Sequence, residues 1–351
     1  MNPPKKTESK SPFNDVDSAH RIIEAMKKCG NSIEDEQAFI DRLRHVEYGL
    51  SAEVECSAIL AWLGNCSLVH KMSAEGYIPP DLKIPDLFAV FEKNGQVLKT
   101  FIEVKSTKDL KLRWNDAYHM KLKNYCNIMG HPLLLSWKVR PFGQWILLDP
   151  ATSGLVKNGR IDLCDAMPQN LMGSVAGDFT VTPKSGIGIH FNGQVLKKEK
   201  VSKTVSKVNM KINKCFFGDS KGNRFDDLSQ SEIALIMMLA KNQYYHEDED
   251  KEAAKWGYVT SDINDINSEE QTFVSGQDLL RFLVGFSKKD NERIAWREVI
   301  QGLNDTISRD DLLTELSSNF GSTVQWIFFL KPKTEPSMLN KEWYKGNRLN
   351  K

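Results

Sequence analysis

Apolar and polar positions along this chain repeat with two periods, and the switches between them mark its parts. A three-to-four-residue spacing runs through about 16–28 and again through 32–46, where Ser32 with Asp35 three residues on is a helix-start signal. A third helical stretch, about 51–63, stops at Gly64. Asp86–Glu92 and Gln96–Lys105 then read as strands on either side of Asn94-Gly95. That dipeptide is a strong hairpin signal, because a two-residue type I′ turn needs positive φ at both positions. A helix over about Asp116–Met129 and strands over Pro132–Val139 and Gln144–Leu148 follow. This order predicts an α/β layer with a mixed sheet.

Glycines crowd 150–200, and Asn192-Gly193, flanked by Ile187, Ile189, Phe191 and Val195, predicts a second hairpin. Lysines then become dense at 197, 198, 200, 203, 207, 211 and 214, and the alternation of Val208, Met210 and Ile212 makes part of this stretch a strand. Three serines, each with an acid three residues later, predict helix starts: Ser229/Glu232, Ser275/Asp278 and Ser308/Asp311. Their apolar runs are Ile233–Leu239, Leu279–Phe286 and Leu312–Phe320. The acidic tract Glu247–Glu252 is expected in a loop, and Gln325–Leu330 as a final strand. The predicted organisation is a polar tail at 1–14, an α/β domain at 15–200, a basic connector at 201–222, a mainly helical, winged-helix-like domain at 223–331 and a polar tail at 332–351.

Composition narrows this picture only a little. With 351 residues, 40% hydrophobic and 26% charged, the chain is of ordinary globular type, and a net charge of +1 selects no partner. No apolar run is long enough for a bilayer, so no membrane partner is expected, and Met1–Phe13 has no apolar signal core. Six cysteines without a C-x-x-C pair, and no His pair, predict reduced, mostly buried thiols rather than a zinc site. A reducing, cytoplasmic setting fits them.

The candidate chemistry follows from hairpin register. If Lys93 faces Gln96 across the turn, Asp86 faces Glu103. Residues directly opposite each other have Cβ atoms ~4.5–5.5 Å apart on one face, and Lys105 shares that face with Glu103. A charged strand face is ordinarily a solvated ladder. Here Leu87–Phe91, Phe101, Ile102 and Val104 describe a central strand pair instead. Two opposed carboxylates repel, and either a raised pKa or a divalent cation between them relieves the conflict. Hard oxygen ligands of this kind suit Mg²⁺, and a neighbouring lysine can orient a water or offset phosphate charge.

Ile84-Pro85-Asp86 followed by Ile102-Glu103-Val104-Lys105-Ser106 resembles the PD-(D/E)xK nuclease superfamily, of the restriction-endonuclease-like and Holliday-junction-resolvase-like kind. A preceding helix offers Glu53 and Glu55. A following helix carries Lys121 and Tyr125. Gly130-His131-Pro132 then leads into Leu133-Leu134-Leu135-Ser136-Trp137-Lys138, similar to the next core strand. The resemblance covers about 45–150 and implies a restriction-endonuclease-like mixed sheet flanked by helices, joined to a mainly helical C-terminal domain. It implies that Asp86 and Glu103 bind Mg²⁺, with Mn²⁺ able to substitute, that Glu53 completes the site and that Lys105 helps activate the water.

Glu53 is favoured by its eleven-residue spacing to Gly64, while Glu55 shares a stripe with Ala58, Ile59 and Trp62. One departure is the glutamine often found on the second helix, where Lys121 or Asn124 stands here. The implied activity is a metal-dependent endonuclease in preference to an exonuclease, acting on DNA rather than RNA, as a homodimer or with a partner protein. Bacterial defence, restriction or a mobile element is the setting such families suggest. Lys203, Lys207 and Lys211 are further candidates for contacting a phosphate backbone. His119 and His131 flank the second helix but read more simply as structural, and 184–188 lacks the third glycine and following helix of a phosphate loop. The competing readings are a non-catalytic nucleic-acid-binding or assembly protein on a nuclease-like fold, and an interaction protein dominated by its C-terminal part.

Overall fold

The computed structural model describes residues 52–72, 77–184, 187–200, 206–219, 223–239, 243–250, 253–259, 274–286, 296–303, 306–339 and 343. The helices expected at 16–28 and 32–46, and the tail at 1–14, lie outside these residues.

Helix α1 covers 52–62. Strands β1 (Cys66–Lys71), β2 (Leu87–Lys93) and β3 (Gln96–Thr107) follow, then β4 (Lys111–Arg113), helix α2 (Asp116–Met129), β5 (Leu133–Val139) and β6 (Gln144–Leu148). The central sheet has the order β1-β2-β3-β5-β6 and is mixed: β3 runs antiparallel to β2 and parallel to β5. A five-stranded mixed sheet flanked by helices is the architecture expected from the sequence.

Asn94 and Gly95 have φ of 52° and 73°, as the two-residue turn requires. Lys93 faces Gln96, and the ladder continues in step to Leu87 opposite Ile102. Helix α2 begins where the Asn115 side chain accepts from Ala117 N at 2.8 Å and ends at Gly130 in the left-handed conformation. Its Leu122 and Cys126 pack with Phe101, Leu133, Leu135 and Trp137 on one face of the sheet. The opposite face takes α1, whose Cys56 thiol lies 3.1 Å from the Ser136 hydroxyl.

A small sheet, β4-β8-β7, adjoins α2; β7 (Val156–Lys157) and β8 (Arg160–Asp162) are joined by Asn158-Gly159, again with both φ positive. Short helix α3 (Leu163–Ala166) follows, then β9 (Thr180–Pro183). Strands β10 (Gly188–Lys200), β11 (Ser206–Gly218), β12 (Gln243–Asp250) and β13 (Ala253–Val259) form a sheet ordered β11-β10-β13-β12.

Two expectations are corrected in that sheet. Asn192-Gly193 is not a hairpin turn but lies inside β10, where the pairing with β11 shifts register. Strands on both sides of β10 hold it extended, so the dipeptide becomes a bulge. The acidic tract is not a loop through Asp250: β12 carries it, with Glu247 opposite Lys255 of β13. Pairing with β13 overrides the poor strand propensity of the acids.

The three predicted helix starts hold. Helix α4 (Gln230–Leu239) is preceded by a reciprocal Ser229/Glu232 pair, and the Ser275 and Ser308 hydroxyls accept from Asp278 N and Asp311 N at the starts of α5 (Gly276–Phe286) and α7 (Arg309–Ser318). Short α6 (Trp296–Gln301) lies between the last two. Strands β14 (Val274–Ser275) and β15 (Val324–Phe328) both pair with β9. Beyond 331, where a polar tail was expected, Leu339 and Trp343 are buried, and the Trp343 indole donates to Ser174 O at 2.7 Å.

The outer edge of β6 is closed without another strand. Trp145 N donates to Gln277 Oε1 at 2.8 Å, and Gln277 Nε2 donates back to Trp145 O at 3.2 Å. Leu147 N donates to Asn170 Oδ1 at 3.0 Å and Leu147 O accepts from Leu171 N at 2.7 Å. Gln277 in turn donates to buried Asp178 through both its backbone N–H and Nε2.

Burial pushes the Asp178 carboxyl up to about 6, although the two Gln277 donors pull the other way. A raised folded pKa keeps its stabilising contribution below the unfolded value and loses it as pH rises through the folded one. Folding stability is therefore expected to fall by about 3 kcal/mol between roughly pH 4 and 6 through this residue. Urea titrations across that range should show the slope in the wild type and its loss in Asp178→Asn.

Candidate active site

Alternation along β3 puts Phe101, Glu103 and Lys105 on the α2 face and Ile102 and Val104 on the α1 face. Glu103 is 0% exposed. A carboxylate at that depth needs donors, and two converge on one oxygen: the Lys105 ammonium and the Tyr118 hydroxyl both donate to Glu103 Oε1. Lys105 Nζ is also 3.3 Å from the Tyr118 hydroxyl oxygen and 5.1 Å from the ring centroid. The second oxygen, Glu103 Oε2, is buried and has no hydrogen-bond partner.

Asp86 sits in a bend just before β2. Its Oδ2 accepts from Val104 N at 2.7 Å, so a side chain continues the ladder where the strand has stopped. The bond ties Asp86 to the residue between Glu103 and Lys105. Burial raises the Glu103 pKa; Lys105 opposes that rise and Asp86 adds to it. Tyr118 is pushed upward by burial and then by the negative charge of Glu103, which keeps its hydroxyl a donor.

The two helix acids go to different places. Glu55 is 3% exposed, and its partners are Lys138, the Trp145 indole N–H at 3.1 Å and Arg281 Nε at 3.3 Å. Lys138 alternates with Leu135 and Trp137, which flank Glu103 and Lys105 in register, so Glu55 lies on the opposite face of the sheet from Glu103. Glu53 Oε2 is 2.6 Å from Lys71 Nζ, in an orientation that is not a hydrogen bond. Lys71 pairs in register with Leu87, next to Asp86, so Glu53 belongs to the Asp86 end of the sheet. Among the described residues, however, no three His, Cys, Asp or Glu groups come together as a metal cage. The donor set that fits a divalent cation is the pair Asp86 and Glu103, with an unbonded carboxylate oxygen, and one or two carboxylates plus water is what Mg²⁺ takes.

The remaining candidates separate. Lys121 is exposed and lines a groove of about 580 Å³ with Lys105, Arg113, Asn115, Ala117 and Tyr118. Tyr125 stands edge-on to Phe101 at 5.4 Å and packs against the core. Lys211 is exposed on β11, Lys207 lies on the same strand, and Lys203 is outside the described residues. His131 packs on Phe88 and His119 on Trp114; burial and then Lys123 lower the His119 pKa, which favours its neutral form. Cys56, Cys66 and Cys126 are buried, whereas Cys164 and Cys215 are exposed.

Sequence reasoning missed Tyr118. The signal was present: Asn115 caps the helix, so Tyr118, Leu122 and Cys126 form one stripe facing the sheet, with Tyr118 at the end nearest Lys105. It also missed Asn158-Gly159, whose turn brings Arg160 to the small sheet.

No protein-family profile and no curated protein matches the chain. Among solved structures it is similar to a Holliday junction resolvase, Hjc, from the archaeal hyperthermophile Archaeoglobus fulgidus, at 21% identity over 34% of this chain and 91% of that one, with a TM-score of 0.27. Among the described residues no helix is long and apolar enough to cross a membrane.

Glu55 and Glu53 should respond differently to truncation. Glu55→Ala leaves Lys138 and Arg281 without their shared carboxylate and is expected to cost about 3–5 kcal/mol. Glu53→Ala should change stability by less than about 1 kcal/mol, since its partner Lys71 is half exposed. Thermal melting of the two variants checks this, and equal losses would contradict it.

Proposed function

We propose that this protein is a divalent-metal-dependent nuclease that hydrolyses phosphodiester bonds in DNA, cutting internally. The observation that carries the proposal is the buried, unbonded Glu103 Oε2 beside Lys105 and Asp86. A protein seldom leaves a buried carboxylate oxygen without a partner, and a site that binds a cation and phosphate supplies a reason for it.

In this reading Asp86 and Glu103 hold Mg²⁺, for which Mn²⁺ substitutes, and Glu53 contributes from α1. A cation held there would supply a more acidic water and offset charge on the phosphate. Asp86 is kept in place by its bond to Val104 N, and Tyr118 fixes the orientation of Glu103. Lys105, 30% exposed, reaches from the buried acid toward solvent. From there it orients the attacking water and stabilises the extra negative charge on the five-coordinate phosphorus. Water adds its oxygen to phosphorus as the bond to the leaving oxygen breaks; one proton passes from the water to solvent and one from solvent to the departing alkoxide. A cytoplasmic role in defence, restriction or a mobile element fits this chemistry, as does assembly as a homodimer or with a partner protein.

Purified protein should nick or cut DNA in Mg²⁺ or Mn²⁺ when offered supercoiled, linear, branched and single-stranded substrates. Asp86→Ala and Lys105→Ala should each reduce the rate by about a hundredfold or more. Cleavage that survives in both variants would overturn the site. Independently of turnover, Mg²⁺ or Mn²⁺ should raise the melting temperature of the wild type but not of Asp86→Ala, because only the folded site binds the cation.

A further inference from the structure

The groove beside Lys105 continues past the start of α2 onto the small sheet. One part is lined by Lys105, Arg113, Asn115, Tyr118 and Lys121, and the adjoining part by Arg113, Asn115 and Arg160 with the turn Asn158-Gly159. Arg113 and Asn115 are common to both, so the two parts form one channel.

The small sheet has an electrostatic peculiarity. Arg113 of β4 and Arg160 of β8 are directly opposite each other in the antiparallel ladder. Opposed like charges destabilise a strand pair. The other end of the same two strands is complementary, with Lys111 opposite Asp162 and their charged atoms 3.3 Å apart. Across β7, Lys157 is opposite Arg160, but Lys157 has its own carboxylate, Asp165, at 2.8 Å. Among the described residues Arg113 and Arg160 have no such partner, and both are exposed. Of the residues lining the two parts, one is an acid, Asp116, and four are cations: Lys105, Lys121, Arg113 and Arg160. Trp114 N donates to Gly159 O at 2.8 Å and locks β4 to the β7–β8 turn, so the arginine pair is held in position rather than free to spread.

We propose that Arg113 and Arg160 form a phosphate clamp for the DNA strand being cut. They grip the backbone beside the phosphate at Glu103 and Lys105, while Lys121 follows the strand along α2. This rests on the nuclease reading and deepens it. Guanidinium groups match phosphate oxygens in paired geometry, and an anion between the two arginines relieves their repulsion. Such contacts carry no base information, so the clamp holds any DNA sequence equally well.

The test is binding without cleavage. Duplex DNA of about 30 base pairs is titrated in EDTA at several salt concentrations with wild type, Arg113→Gln/Arg160→Gln and, as a control of equal charge change, Lys331→Gln/Lys333→Gln at two exposed positions beyond β15. The clamp predicts a loss of about tenfold in affinity for the arginine pair variant and a salt slope shallower by about two, one per lost phosphate contact. Melting curves establish that each variant is folded, and Arg113→Lys/Arg160→Lys should restore most of the salt slope.

Unchanged affinity and slope in a folded arginine variant would overturn the clamp, as would an equal loss in the Lys331/Lys333 control. No binding of the duplex by the wild type would overturn it too. Binding that depends on the arginines in a protein that cuts nothing with any metal would uphold the clamp and remove the nuclease reading instead.

Discussion

Strand β3 is hydrogen-bonded on both sides, antiparallel to β2 and parallel to β5, and neither neighbour allows it to slide. A shift of one residue would exchange Phe101, Glu103 and Lys105 with Ile102 and Val104, putting the charges against α1 and the aliphatic groups beside Tyr118. The Asn94-Gly95 turn sets the register from one end, and the bond from Val104 N to Asp86 sets it from the other. Helix α2 can pack only in the position where Tyr118 reaches Glu103, because Leu122 and Cys126 fix its lower stripe on Leu133 and Leu135. The site is thus a consequence of the core's register, not an addition to its surface.

The two buried glutamates show how the same side chain serves different ends. Glu55 has Lys138, Trp145 and Arg281 around it, and both its oxygens are engaged. It joins α1, β5, β6 and α5, and its full set of partners leaves nothing for a ligand. Glu103 has both donors on one oxygen and none on the other. In the low-dielectric interior that imbalance is costly, so Glu103 carries a free acceptor where Glu55 is fully satisfied.

Much of the core was legible because its signals are local. The turn at Asn94-Gly95 gave the pairing from Lys93–Gln96 to Leu87–Ile102, and the helix expected over about Asp116–Met129 is α2. The same dipeptide misled at Asn192-Gly193, where two neighbouring strands, distant in sequence, impose extension. Non-local pairing also decided the acidic stretch in β12, whose partner strand lies beyond it in the chain. Periodicity offered Glu53 and Glu55 as helix acids but could not say which face of the sheet the helix would take, because that choice is made by packing against Ser136 and Lys138. The opposed arginines were out of reach for another reason: strands of two or three residues carry too little pattern to be paired from sequence.

The amide of Gln277 hydrogen-bonds the β6 backbone as a neighbouring peptide would, and the turn at Asn170–Leu171 does the same one step along. During synthesis β6 leaves the ribosome about 130 residues before Gln277, a delay of some seconds at cellular elongation rates. For that interval the backbone N–H and C=O of Trp145 stay unpaired at the sheet edge, able to recruit an extended segment from another nascent chain. Completion of this fold is therefore also protection against self-association, and a shortened chain ending before α5 would leave the Trp145 part of that edge unpaired.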